Sequence, residues 1–119
     1  MTDDPILEPS ALERLLEITG GDVEFLDELI DTFLDDAQVQ LAALRDAVAG
    51  DDPEAYVRPA HSLKSNAANV GAMALATLSR DLEATGRAGI LVDGPDRVEA
   101  IERALEAVRA ALLQDRADR

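Results

Sequence analysis

His61 is the only histidine among 119 residues, and the apolar residues around it recur with helical spacing. Successive residues of an α-helix turn by about 100°, so Leu63 and Val70 point away from His61 while Lys64 shares its side. A histidine side chain has a pKa of about 6.5 in model peptides, and its neutral ring nitrogen is a nucleophile. Such a nitrogen can attack the phosphorus of an acyl phosphate and form a phosphoramidate. The spacing therefore predicts a histidine on the outer face of a helix, where its ring nitrogen has the chemistry needed to accept a phosphoryl group.

Two cations accompany His61 on this predicted outer face. Lys64 and Arg58 lie three residues after and before it, a spacing that brings helical side chains together, so both can offer positive charge to a phosphoryl group. Three further residues are small or apolar and would give a large partner access to the ring: Val57, Ser65 and Ala68. The alternative is a surface histidine without a chemical role, and the residues alone leave both interpretations open.

Four polar residues outside this group could also contribute to the site. Glu83, on the next predicted helix, could orient the imidazole, and Gln38 could line the site from the second helix. Asn66 and Asn69 are better explained as hydrogen-bonding residues at a helix end or between helices than as phosphate contacts. For Glu83 and Gln38 the alternative is a solvated helix surface.

The elements that must position these residues are helices. Ser10 and Glu13 fit a capping box that begins a short first helix, which should end at Gly20-Gly21. Asp22 is expected to cap the second helix and Gly50 to end it. Apolar residues recur along this second helix with a period of three to four: Leu26, Ile30, Phe33, Ala37, Leu41, Leu44 and Val48.

The third predicted helix carries His61 and contains an unusual proline. Asp52 and Pro53 suit its N-cap and first position, and it should run to Gly71. Pro59 would remove a backbone hydrogen bond from a helix interior and clash with the preceding turn. We therefore expect a bend near Ala55–Pro59, or a helix that restarts there.

Two more amphipathic helices complete the predicted chain. The fourth should close at Gly86 and Gly89, and the fifth should open at Asp93 or Gly94-Pro95. The apolar residues of the fifth form one stripe: Val98, Ile101, Leu105, Val108 and Leu112. We expect an acidic, partly ordered lead-in over residues 1–9 and a frayed tail over residues 115–119. The prediction is an all-α, antiparallel up-and-down four-helix bundle with a short extra N-terminal helix, forming a single domain over residues 1–119.

Composition limits the possible partners. A formal net charge of −14 opposes binding to nucleic acid or an anionic membrane. The chain has no cysteine and one histidine, which makes a transition-metal site improbable. No apolar run approaches the ~20 residues of a membrane span, and no signal peptide is recognisable. A cytoplasmic monomer without a cofactor of its own is expected.

Residues 61–72, with the sequence HSLKSNAANVGA, resemble the signature of histidine-containing phosphotransfer (HPt) domains, which reads His-x-Leu-Lys-Gly before several small residues. Leu82-Glu83 also resembles a family pair on the next helix. The resemblance implies that His61 is phosphorylated and that Lys64 assists. It implies response-regulator receiver domains and a sensor histidine kinase as partners, with Mg²⁺ held by the receiver. Ser65 stands where the family usually has glycine.

Three alternatives to a phosphorelay intermediate differ in their demands on the sequence. A sensor-kinase dimerisation domain would resemble this segment only with an acid after the histidine and a proline a few residues on, but Ser62 follows His61 and residues 63–72 contain no proline. A chemotaxis-type kinase phosphotransfer domain shares the bundle and the histidine pattern. A binding-only bundle would dock a receiver or kinase without accepting phosphate. The absence of a Gly-rich phosphate loop predicts no ATP binding or kinase activity in this chain.

Overall fold

The computed structural model describes residues 5–119, and within them every regular element is helical. Among these residues, no helix combines the length and the hydropathy that a membrane span requires. The elements are α1 (Pro9–Ile18), α2 (Val23–Gly50), a 3₁₀ turn (Pro53–Tyr56), α3 (Val57–Asn69), α4 (Met73–Arg87) and α5 (Gly94–Asp118).

Helices α2 to α5 form the predicted antiparallel bundle. Each packs against its neighbours in the chain, and α5 packs back against α2, so the four enclose one core. The stripe predicted on α5 is buried along its whole length, and that on α2 is buried from Leu26 to Leu44, with Ala47 replacing Val48 as the last fully buried residue. Helix α1 packs on α2 and buries Ala11 and Leu12. The fold class predicted from the helical periodicity is therefore confirmed.

The predicted capping box at Ser10 is wrong. Helix α1 begins at Pro9 and has no side-chain cap, while Ser10 Oγ accepts a hydrogen bond from Arg14 at 3.2 Å. The start lies two residues earlier because the backbone N–H of Glu8 donates to the carbonyl of Gly71 at 2.9 Å. Proline is favoured at a first helical position, so this contact and Pro9 together set the start. By contrast, Asp22 caps α2 as predicted, accepting from the N–H of Phe25.

Two glycines predicted to end helices lie inside them. Helix α2 includes Gly50, and Asp51 adopts the left-handed conformation after it, with φ of 51°. Helix α4 includes Gly86 and ends at Arg87. A Cβ at Gly86 would lie 2.8 Å from the carbonyl oxygen of Pro53, so Gly86 is needed for close packing rather than for chain reversal.

The helix predicted to start at Asp52 is divided into two parts. Asp52 caps the 3₁₀ turn by accepting from the N–H of Glu54 at 3.1 Å, and α3 begins at Val57. Pro59 is thus the third residue of α3, where a helix has no internal partner for the backbone N–H. The restart predicted near Pro59 is confirmed, and it removes the cost of an interior proline.

The polar C-terminal tail, which is predicted to fray, is helical as far as Asp118. Arginines at the end of α5 pair with residues in the first turns of α2. Arg116 donates to the carbonyl of Asp27 and to Asp31 Oδ1, each at 3.0 Å, and Arg119 lies 3.0 Å from Asp27 Oδ1. Of the predicted lead-in, residues 1–4 lie outside the described residues, and Leu7 packs against the core.

Candidate functional site

Helix α3 holds His61 at the protein surface by burying its opposite side. Ala60, Leu63 and Ala67 have no exposed surface, whereas the His61 side chain is 54% exposed. Since the three buried residues fix the rotation of the helix, the ring points outward, as the spacing predicts. Lys64, the one lysine in the sequence, lies on the same side.

Glu83 of α4 lies beneath the ring and connects it to Lys64. Its side chain is 7% exposed, its Oε2 is 2.9 Å from His61 Nδ1, and its Oε1 is 2.6 Å from Lys64 Nζ. Helix α4 can approach α3 this closely because the α4 residues on either side of Glu83, Ser79 and Gly86, are small and buried. The sequence raised Glu83 only as a possible orienting residue, and the structure brings it into contact with both.

Arg87 is the member of this cluster that sequence analysis missed. Its guanidinium donates to Glu83 Oε2 through two nitrogens, at 2.8 Å and 3.2 Å. The signal was present, because a Glu and an Arg four residues apart on a helix commonly pair. It is hard to use from sequence, because the predicted closure of the fourth helix at Gly86 and Gly89 leaves Arg87 at a helix end of uncertain geometry.

The cluster keeps Glu83 ionised. The hydrogen bond from Lys64 lowers the pKa of Glu83 most, and those from Arg87 and His61 add to it, so that against the opposing effect of burial the pKa falls to about 2. An ionised carboxylate only accepts hydrogen bonds. Nδ1 of His61 must therefore carry the proton in this contact, which leaves Nε2 of the neutral ring with a free lone pair.

An open cleft of about 680 Å³ is formed where α4 ends and α3 begins. Arg58 and Arg87 contribute the basic side chains of its lining, and Asp52 and Glu54 the acidic ones. Val57 also lines this cleft and is half-buried. Of the predicted site residues, Arg58 and Val57 thus lie beside the cluster rather than among its hydrogen-bonded members.

The remaining predicted residues fall into two groups. Ser65 and Ala68 are exposed on the outer side of α3, as access to the ring requires. Gln38 is not part of the site, because it lines a groove between α2 and α5 with Glu106 and Arg109 among others. The sequence could not show which flank of α2 meets α3.

Asp36 of α2 makes a side-chain contact with α3 close to this site. Asn66 Nδ2 donates to Asp36 Oδ2 at 2.9 Å, which confirms the inter-helix role suggested for Asn66. Asn69 is exposed at the end of α3. Within residues 5–119 no group of three His, Cys, Asp or Glu side chains is placed to hold a metal ion.

Comparisons with known proteins agree with this geometry. The family model described as Hpt domain matches residues 28–111. The chain is similar to the crystal structure of histidine-containing phosphotransfer protein B from Pseudomonas aeruginosa PAO1, with 32% identity, a TM-score of 0.89, and coverage of 98% of this chain and 99% of that chain. No curated protein sequence matches. Because the matched range covers more than half of the chain and contains His61, Lys64 and Glu83, this protein belongs to the Hpt domain family.

Proposed function

We propose that this protein is a phosphorelay intermediate that carries a phosphoryl group on Nε2 of His61. Hpt domains pass phosphoryl groups to receiver domains in two-component systems. The observation that carries the proposal for this chain is the 2.9 Å contact between His61 Nδ1 and Glu83 Oε2 on a ring that is half exposed. It turns the unprotonated nitrogen outward, where the phosphoaspartate of another protein can reach it.

The proposed transfer is an in-line displacement at phosphorus. The lone pair of Nε2 forms the N–P bond while the bond between phosphorus and the aspartyl oxygen breaks, and its electron pair returns to the carboxylate. The ring then carries a positive charge that is shared by both nitrogens, and Glu83 stabilises this charge through the Nδ1 proton. Transfer to a second receiver reverses these steps. Positioning and charge compensation account for most of the rate in such transfers.

Lys64 and Arg58 are proposed to compensate the charge on the phosphoryl group. Lys64 Nζ lies on Glu83 Oε1 at 2.6 Å, and its flexible stem lets it turn toward a phosphoryl group on the neighbouring ring. Arg58 lies at the cleft on the other flank of His61. Ser65 and Ala68 leave room above the ring for the receiver. We assign Mg²⁺ to the receiver, and we expect neither ATP binding nor kinase activity from this chain.

The experiment is phosphoryl transfer from a phosphorylated receiver, followed by acid-labile label on this protein. We expect the wild type to take up label and His61→Gln to take up none, with unchanged helical circular dichroism. Lys64→Ala should accept more slowly and keep the fold. Arg109→Ala, an exposed cation in the groove between α2 and α5, is the matched control and should accept normally.

Two outcomes would contradict the proposal. If His61→Gln accepts as much label as the wild type, the phosphorylated residue is not His61. If the wild type binds the receiver but remains unlabelled, the protein is a binding module and not a phosphocarrier. A normal rate for Lys64→Ala would remove Lys64 from the mechanism without affecting the role of His61.

A further inference from the structure

Two donors share one oxygen of Glu83. His61 Nδ1 lies 2.9 Å from Oε2, and Arg87 NH2 lies 2.8 Å from the same atom, while Lys64 occupies Oε1. A guanidinium at hydrogen-bond distance neutralises much of the charge that a carboxylate oxygen presents to any other donor. Arg87 therefore competes directly with the imidazole for the same oxygen of Glu83. Lys64 binds the other oxygen of that carboxylate.

We propose that Arg87 is a positioning residue that limits the negative charge Glu83 presents to the ring, and that it thereby sets how readily His61 is protonated and how long its phosphoryl group is retained. The part that concerns retention rests on the proposed function. The part that concerns protonation does not, since it is a property of the unmodified protein.

The chemistry of the phosphorylated ring connects Glu83 to retention. When water attacks phosphorus and the N–P bond breaks, the electron pair of that bond goes to Nε2, and the cationic ring leaves as neutral imidazole with its Nδ1 proton in place. A more negative Oε2 stabilises the cationic phosphorylated ring more than the neutral ring that remains after cleavage, and so slows loss of the phosphoryl group. By weakening Oε2, Arg87 speeds that loss.

The same competition acts before phosphorylation. A protonated ring has no free lone pair on Nε2 and cannot attack phosphorus. Removing Arg87 strengthens the attraction between Glu83 and the protonated ring and removes a repelling cation near it. Protonation should then persist to higher pH, and acceptance of phosphate at neutral pH should fall.

Other charged groups around the ring do not share this geometry. Lys64 of α3 meets the other oxygen of Glu83, and Arg58 of α3 lines the cleft where α4 ends and α3 begins. Glu54 lines the adjoining cleft, and Asp36 is engaged by Asn66. Only Arg87 meets the oxygen that accepts from the ring, and its side chain, 62% exposed, lines the open cleft.

The chain offers a matched control for a test of Arg87. Arg103 and Glu99 form the same four-residue pair on α5, with Arg103 NH2 at 2.6 Å from Glu99 Oε1. This pair is far along the chain from the His61 cluster and exposed. Arg103→Ala removes an equivalent cation and an equivalent helix pair without touching Glu83.

The first measurement is an ¹⁵N imidazole NMR titration of the unphosphorylated protein, in which a single histidine makes assignment unambiguous. For Arg87→Ala we expect the titration curve to move to higher pH by about 0.5 to 1, equivalent to a threefold to tenfold change in the protonation equilibrium. Arg87→Lys keeps the charge and should restore most of the wild-type curve. Arg103→Ala should leave it unchanged.

The second measurement is the half-life of the phosphorylated protein at neutral pH, which should rise about threefold to tenfold in Arg87→Ala. An unchanged titration curve in Arg87→Ala, the same displacement in Arg103→Ala, or no restoration by Arg87→Lys would each overturn the proposal. Failure of the proposed function is separate: it would appear as equal labelling of His61→Gln and wild type, and it would leave the titration result standing.

Discussion

Glu83→Gln tests the energetic role of the cluster, because it removes one charge and keeps the shape of the side chain. In the folded protein the pKa of Glu83 is lowered to about 2, mainly by Lys64, with Arg87 and His61 contributing, against a value of 4.5 for the unperturbed group. A carboxyl whose pKa is lowered by folding stabilises the folded state at every pH above the unfolded value. That stabilisation is lost as pH falls from about 4.5 through about 2.

The magnitude follows from this pKa difference. A pKa change of one corresponds to about 1.36 kcal/mol, so the difference of about 2.5 sets an upper limit of roughly 3 kcal/mol. His61 and Arg87 are more than half exposed, and solvent screening weakens their share. We therefore expect Glu83→Gln to lower the free energy of unfolding at pH 7 by about 2 kcal/mol. By linkage, less than half of this difference should remain at pH 3.

The assay is urea unfolding of wild type and Glu83→Gln at pH 7, 5, 4 and 3, followed by circular dichroism. The difference between the two proteins should be constant from pH 7 to pH 5 and shrink below. Glu99→Gln is the control, because it removes an exposed helix carboxylate in the same way. It should lower the free energy of unfolding by less than about 1 kcal/mol. A Glu83→Gln difference that does not change with pH would refute the linkage argument.

Two further substitutions test the packing of the buried side of α4. Gly86→Ala should lower the free energy of unfolding by about 1 to 2 kcal/mol despite its better helix propensity, since its Cβ would lie 2.8 Å from the Pro53 carbonyl; greater stability in urea would contradict this packing. Ser79→Ala should raise it by about 1 kcal/mol, because Ser79 Oγ is buried and has no hydrogen-bond partner among residues 5–119; a clear loss of stability would reveal a partner for this hydroxyl.

The helical periodicity was sufficient to predict the bundle and the direction in which His61 points. A stripe of apolar residues buries one side of a helix wherever that helix packs, so the opposite side must be exposed. Helix ends were less predictable. Gly86 resembles a stop signal, but a glycine is also used where two backbones approach closely, as at the Pro53 carbonyl, and only the packed structure distinguishes the two uses.

What the sequence alone determined is the chemistry available on α3: one histidine, one lysine at helical spacing, and a buried face that keeps both outside. What only the tertiary structure decided is the partner of the ring. Glu83 follows His61 by 22 residues. Whether Glu83 or Gln38 contacts the ring depends on how α4 and α2 are rotated against α3. That rotation results from the packing of small residues such as Ser79 and Gly86 across the whole interface, which no local pattern specifies. Arg87 belongs to the site for the same reason, because it lies one helical turn after Glu83 on α4 and its position is set together with that of Glu83.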